Sequence, residues 1–214
     1  MNEGLYSEIL TYDAAVVLQD LVYNASFIRN YVFVGGSALS IYLKHRKSED
    51  LDFFTWDNSL YNKTLIYEYI GKLKDAEILN ESEQGIDIRV KKTKITFFNA
   101  GWNFLMPKNI ANFNIATLEA LVAMKVHTLF LRAKYRDYYD LYFLAKEMQM
   151  KDMFENAKKI IPGITLKLFC MAIVYVDDIL DDSIVHLSPL EQVTKHQIRD
   201  FFQQKIIAEG LLPA

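Results

Sequence analysis

Two short stretches carry residues whose types and spacing could do chemistry. The first is Gly35-Gly36-Ser37, which directly follows the β-branched and aromatic run Tyr31-Val32-Phe33-Val34. Glycines at the end of a strand let the backbone approach a ligand with no Cβ in the way. If the turn opens a helix, its free N–H groups and positive dipole end suit a phosphate. The Ser37 hydroxyl adds a donor, or caps the helix. The second stretch is Asp50-Leu51-Asp52, followed by Phe53-Phe54. On a strand the two acids project to one side and Leu51 to the other. Parallel carboxylates beside an apolar run repel each other unless a cation sits between them. An oxygen-only pair suits Mg2+ (or Mn2+) whose shell is completed by substrate phosphates. Each stretch alone also reads as ordinary structure, a capped strand-to-helix turn and a solvated strand end. Together, with about one helix of chain between them, they set a phosphate cradle beside a metal site.

The elements that must position these residues follow from periodicity. Leu10, Ala14, Val17, Leu18, Leu21 and Val22 recur at helical spacing, so the first thirty residues read as helix. Tyr31 to Val34 is a short buried strand, and Ser37 caps a helix from Ala38 to about Lys44. Leu51 to Trp56 is a second strand, and Asn58 to about Leu73 a helix. Strands follow at about Ile86 to Val90 and Lys94 to Asn99, joined by a turn at Lys91-Lys92-Thr93. After Pro107 the texture becomes helical, with segments from Thr117 to Ala133, Asp137 to Met148, Met153 to Ile160, Thr165 to Ile179 and Pro189 to Ile207. The expectation is an α/β (α+β) mixed sheet with flanking helices over 1–110, then a helical bundle over 111–214.

The helical half holds a second group of candidates. Lys125 lies in the apolar stripe of Leu118, Val122 and Leu129, with Arg132 following on the same side. A lysine there either snorkels out along its stem or has an anionic partner, which could be a phosphate, Asp137 or Asp140. Asp137 and Asp140 share a face with Leu141 and Leu144, although Asp137 at a helix start also suits the dipole. Arg46, with His45, either ends the helix after the glycine turn or touches substrate. Tyr135, Tyr138, Tyr139 and Tyr142 read mostly as packing, with Tyr135 or Tyr138 able to stack a base.

Gly-Gly-Ser-Ala-Leu through His45-Arg46-x-Ser48-x-Asp50-Leu51-Asp52-Phe53-Phe54 resembles the nucleotidyltransferase fold of DNA polymerase β type. More narrowly, the chain resembles the AbiEii/AbiGii nucleotidyltransferase-like toxins of bacterial abortive-infection and toxin–antitoxin systems. Lys94 to Trp102, Thr117 to Lys125 and Arg136-Asp137-x-x-Asp140-Leu141 resemble that family's later motifs, so the likeness spans about residues 30–145. It implies Mg2+-dependent transfer of a nucleotide from a nucleoside triphosphate to an acceptor hydroxyl. Asp50 and Asp52 would hold the metal, Gly35, Gly36 and Ser37 the phosphates, and Lys125 and Arg132 the leaving pyrophosphate. The helical half would contribute to the cleft, Asp137 as catalytic, Arg46 and Asp140 as substrate-binding. It further implies an RNA acceptor, plausibly a tRNA 3′ end, and a cognate antitoxin protein. An antibiotic or protein acceptor, or a nucleotide-binding module without turnover, stays open. Many enzymes of this fold use a third carboxylate on a neighbouring strand; the matching strand here carries Thr96, and Asp87 on the preceding strand reads equally as a substitute or as an exposed hairpin residue.

Composition bounds these readings. The 214 residues are 51% hydrophobic, enough for a sizeable core, and one cysteine, Cys170, excludes an internal disulfide. The four histidines lack zinc-ligand spacing. Met1-Asn2-Glu3-Gly4 lacks a signal-peptide layout and no apolar run is long enough to span a membrane, so a cytoplasmic protein is expected. The net charge of −3 excludes a non-specific nucleic-acid coat. Nine of the 24 Lys and Arg nevertheless form three clusters, Lys44, Arg46, Lys47; Lys91, Lys92, Lys94; and Arg132, Lys134, Arg136. Acids gather at Asp177, Asp178, Asp181 and Asp182. Such a basic rim could hold RNA phosphates.

Overall fold

Three apolar residues, Val32–Val34, form strand β1, buried on both faces. A central position explains their continuous β-branched and aromatic character. On one side β1 pairs antiparallel with β2 (Leu51–Phe54), on the other parallel with a later strand. In this computed structural model the described residues are 3–110, 112–180 and 184–211. Met1, Asn2, Asp181 and Asp182 lie outside them.

The chain divides after Thr117 into two compact units. In the first, helices α1 (Glu3–Ile9), α2 (Tyr12–Asn24) and a 3-10 turn at Ser26–Asn30 precede β1. They are not the single helix expected over the first thirty residues. The backbone at Ile9 to Thr11 leaves the helix to pair with Ser48, through Ser48 N–H to Ile9 C=O at 3.0 Å and Thr11 N–H to Ser48 C=O at 2.9 Å. Helix α3 (Gly35–Leu43) follows β1 without a gap. The expected helix over 58–73 is shorter. A 3-10 turn at Asn58–Leu60 precedes α4 (Lys63–Ile70), because Asn62 caps α4 by accepting the Leu65 N–H.

The sheet continues with β3 (Ala76–Glu81), β4 (Gly85–Val90), β5 (Thr93–Phe98), β6 (Lys108–Ile110) and β7 (Phe113–Ile115). The strand order among the described residues is β3-β4-β5-β2-β1-β7-β6. Strands β3, β6 and β7 go beyond the sequence expectation. β7 adds to the free side of β1, so the first unit reaches Thr117 rather than 110. β5 pairs parallel with β2 and antiparallel with β4, giving a mixed sheet. One face is apolar: Phe53 stacks on Phe97 at 5.6 Å, Phe97 meets Phe27 at 5.6 Å, and Phe27 meets Tyr69 of α4 at 6.1 Å. The Tyr69 hydroxyl donates to Asp20 of α2 at 2.6 Å, tying together two helices of that unit. The opposite face carries Asp52, Phe54, Lys94, Thr96 and Asp87, all half-buried.

The second unit is helical: α5 (Leu118–Leu131), α6 (Tyr135–Glu147), α7 (Met150–Ala157), α8 (Leu166–Val174) and α9 (Lys195–Ala208). α8 gives way to a 3-10 turn at Tyr175–Asp178 instead of running to Ile179. α9 starts after Thr194, not at Pro189, because Thr194 and Gln197 form a reciprocal capping box. Helix ends are matched by charge: Glu209 accepts the Met150 and Lys151 N–H groups at 3.1 and 3.2 Å. Lys205 donates to the Met148 carbonyl at the end of α6 at 3.1 Å.

Phe97 is fully buried at the centre of the aromatic stack. Phe97→Ala should destabilise the first unit by about 3–5 kcal/mol. Urea denaturation followed by tryptophan fluorescence checks this, since both tryptophans, Trp56 and Trp102, lie in that unit.

Candidate active site

The backbone at Gly35 has φ +75°, in the left-handed region that favours glycine. A Cβ built there would fall on Oδ2 of Asp52. The cause is register: Val34, the last residue of β1, pairs with Asp52 of β2. The Asp52 carboxylate therefore lies against the Gly35 α-carbon at the amino end of α3, where backbone N–H groups lack helical partners. Ser37 does not cap α3, as the sequence suggested; Val34 occupies the cap position with no side-chain bond. The Ser37 hydroxyl is buried and donates to the backbone carbonyl of Asp50. It pins the approach to β2 onto α3, and so fixes where Asp50 and Asp52 leave the backbone.

Gly36 is small for a different reason. A Cβ there would stand 2.7 Å from Nη2 of Arg46 and 3.3 Å from the Ser48 hydroxyl. Arg46 is 4% exposed, and its Nη1 donates to the Lys47 carbonyl at 2.9 Å. The guanidinium is thus seated in the space that Gly36 leaves.

Asp50 and Asp52 offer hard oxygen donors on half-buried side chains. Among the described residues no group of three or more His, Cys, Asp or Glu could hold a metal ion. This donor set fits Mg2+ or Mn2+ that takes its remaining ligands from phosphates and water, and does not fit zinc.

The second unit holds a buried charge cluster. Lys125 is 5% exposed, and Asp137 and Asp140 are fully buried. The Lys125 ammonium lies 3.0 Å from Asp137 Oδ1 and 2.6 Å from Asp140 Oδ2. Of the partners left open by its position in the apolar stripe, Lys125 takes both acids. Arg132 donates to Asp137 through Nε and Nη2, both at 3.2 Å, and the Lys134 N–H adds a bond at 3.3 Å. Burial pushes the Asp137 carboxyl up, but the Lys125 and Arg132 charges more than offset this and hold it below its ordinary value of 3.8. Arg132, with 44% of its side chain exposed, is the member of the cluster open to solvent.

Comparison with known proteins shows the family of the chain. The family model described as "Nucleotidyl transferase AbiEii toxin, Type IV TA system" matches residues 17–161. The chain belongs to this family. It is a nucleotidyltransferase of the AbiEii type, a family of toxins from type IV toxin–antitoxin systems. An uncharacterized protein of Aquifex aeolicus is 25% identical over 190 residues, 86% of this chain and 90% of its own length. Two solved structures share the fold. JHP933 from Helicobacter pylori has a TM-score of 0.58 at 22% identity, covering 94% of each chain. The nucleotidyltransferase toxin MenT4 from Mycobacterium tuberculosis has a TM-score of 0.53 at 16% identity, covering 94% of this chain and 88% of its own.

The AbiEii-type chain also holds features that sequence reasoning missed. Thr96 pairs with Asp52 on one side and with Asp87 on the other, and its hydroxyl donates to Asp87 Oδ1 at 2.8 Å. Asp87 Oδ2 meets the Lys94 ammonium at 3.1 Å. Asp87 therefore lies one strand beyond the position beside Asp52, and Thr96 stands there instead. The hairpin spacing around Lys91-Lys92 was the signal that could have paired Asp87 with Thr96. The burial of Arg46 thins the expected basic rim, as do the pairs Lys94–Asp87 and Arg132–Asp137. Tyr135, Tyr138 and Tyr139 are buried with hydroxyls donating to the backbone carbonyls of Val193, Ala172 and Glu191, which makes them packing residues. No helix among the described residues is long and apolar enough to cross a membrane.

Removing one partner from a buried ion cluster leaves charge uncompensated, so Lys125→Ala should cost about 3–5 kcal/mol, read by far-ultraviolet circular dichroism in urea. The lowered Asp137 carboxyl contributes stability that is complete above the unfolded value and is lost as pH falls through the folded one. The melting temperature of the helical signal should therefore hold near neutral pH and fall below about pH 4. In Asp137→Asn this acid-dependent fall should be smaller.

Proposed function

We propose that the chain transfers a nucleotide from a nucleoside triphosphate to an RNA hydroxyl, at a tRNA 3′ end, with Mg2+ as its metal. The observation that carries this reading is the contact of the Asp52 carboxylate with the Gly35 α-carbon at the amino end of α3. It brings metal-type donors and a phosphate-type backbone within one contact of each other.

In this reading Asp50 and Asp52 hold the cation, which when bound neutralises the triphosphate and polarises the α-phosphate. The bared N–H groups after Gly35 and Gly36 receive phosphate oxygens. Ser37 sets the spacing of the two carboxylates rather than donating to substrate, because its hydroxyl already serves the Asp50 carbonyl. Arg46 fixes the turn from inside. In the helical unit, Arg132 is the solvent-facing cation suited to an external phosphate. Lys125, held by Asp137 and Asp140, is the second cation of this reading that would meet a phosphate oxygen. Asp137 and Asp140 hold both cations in place. The exposed Lys91 and Lys92 of the β4–β5 turn, with Lys44 at the end of α3, supply positive charge for an RNA backbone. A cognate antitoxin is the partner expected of a chain of this family.

Incubation with α-labelled nucleoside triphosphates, Mg2+ and total RNA tests the proposal. Label should enter RNA, and Asp52→Ala should lower the rate roughly 100-fold or more, about 3 kcal/mol of transition-state stabilisation. No transfer with any nucleotide, or transfer unchanged in Asp52→Ala, contradicts it. Label that enters only added protein or an aminoglycoside would move the acceptor to that class.

A further inference from the structure

Transfer to a hydroxyl releases one proton, and the carboxylates assigned to the cation are poor acceptors for it while a cation neutralises them. The polar face of the sheet offers another route. Asp52, Thr96 and Asp87 stand in one row across β2, β5 and β4, each paired in register with the next. Their shared face is fixed by the neighbouring rows: Phe54 meets Phe98 at 5.2 Å on this face, while Phe53 stacks on Phe97 on the other.

The hydrogen bond within this row has a direction. A carboxylate only accepts, so the Thr96 hydroxyl hydrogen points at Asp87, 2.8 Å away. The Thr96 oxygen keeps lone pairs that can accept from a hydroxyl brought over the row. Asp87 lies two strands from Asp52, about 10 Å between α-carbons at ordinary strand spacing. Thr96 stands between the two acids in the row, and its hydroxyl engages Asp87 Oδ1. Its second oxygen meets Lys94 at 3.1 Å, which leaves Oδ1 to the Thr96 hydroxyl. The side chain is 22% exposed, so a proton taken up there can pass on to water.

We propose that Thr96 and Asp87 form the proton route of the transfer reaction, an inference that rests on the function proposed above. The acceptor hydroxyl donates to Thr96 Oγ1. As its oxygen bonds to the α-phosphorus, the bond from that phosphorus to the bridging oxygen breaks, and pyrophosphate leaves with the electron pair. The hydroxyl proton moves to Thr96 Oγ1 while the Thr96 proton moves to Asp87 Oδ1. Thr96 ends neutral and Asp87 ends protonated. Thr96 is a catalytic residue in this scheme because it touches the reacting hydroxyl, and Asp87 is a positioning residue that acts through it.

Two measurements test the route on the full chain. In thermal melts, the effects of Thr96→Val and Asp87→Asn should be non-additive, the double variant melting no lower than the worse single one; strictly additive shifts overturn the route by removing its hydrogen bond. In the labelled-nucleotide assay with total RNA, Thr96→Val and Asp87→Asn should each lower kcat roughly 100-fold with the nucleotide KM unchanged, and Thr96→Ser should stay within a few-fold of the parent. Equal losses in Thr96→Ser and Thr96→Val, a change in KM alone, or undiminished kcat in both Thr96→Val and Asp87→Asn overturn the route while transfer by the parent chain stands. No transfer by the parent chain overturns route and function together.

Discussion

The contact between the Asp52 carboxylate and the α-carbon of Gly35 constrains the rest of the first unit. It needs a residue without a side chain at the end of β1, a left-handed turn, and a helix that starts at once. It also needs β2 antiparallel to β1 in the one register that places Asp52 opposite Val34. A slip of one residue would turn both acids into the apolar face, where Phe53 and Phe97 now stack. The depth of that aromatic core holds the register, and the Ser37 bond to the Asp50 carbonyl locks the same geometry from the helix side.

Charge is handled differently in the two units. In the first, acids stand half-buried on the polar sheet face, and a deeply buried cation, Arg46, lies where Gly36 leaves room for it. In the second, two carboxylates are wholly buried and balanced by Lys125 and Arg132. Burying such a cluster is costly unless every member is paired, and it adds little to stability over an apolar core of equal shape. Its value lies in direction: Asp137 grips the exposed Arg132 by two bonds at 3.2 Å and limits where that guanidinium can point. Under the proposed function, this direction aims a held cation at a polyphosphate.

Much of this was legible in the residues. The glycine turn and the alternating Asp50-Leu51-Asp52 pattern depend on local rules, backbone freedom and strand alternation, so they could be read directly. The three unexpected strands are short or polar: Lys108-Asn109-Ile110 and Ala76-Glu77-Ile78 lie at sheet edges, where one buried face is not required and hydrophobic alternation fades. Helix starts were misplaced where a cap decided them, as at Thr194, or where the helix began on the glycine itself, as at Gly35. The seating of Arg46 under Gly36 and the pairing of Thr96 with Asp87 depend on chain segments that meet only in the fold. Lys125 shows the boundary well: its spacing announced an anionic partner, and only the packing of α6 on α5 names Asp137 and Asp140.

Under the proposed function, the Gly35 turn and Asp52 act as one nucleotide-binding unit. The most direct measurement is the rise in melting temperature on adding a non-hydrolysable nucleoside triphosphate with Mg2+ to Gly35→Ala and to the parent chain. The parent should be stabilised, by about 2.7 kcal/mol at a hundredfold excess over Kd. Gly35→Ala forces a side chain onto Asp52 and a strained φ, so it should still melt cooperatively but gain nothing from nucleotide and Mg2+. A Gly35→Ala chain stabilised as much as the parent would contradict the account.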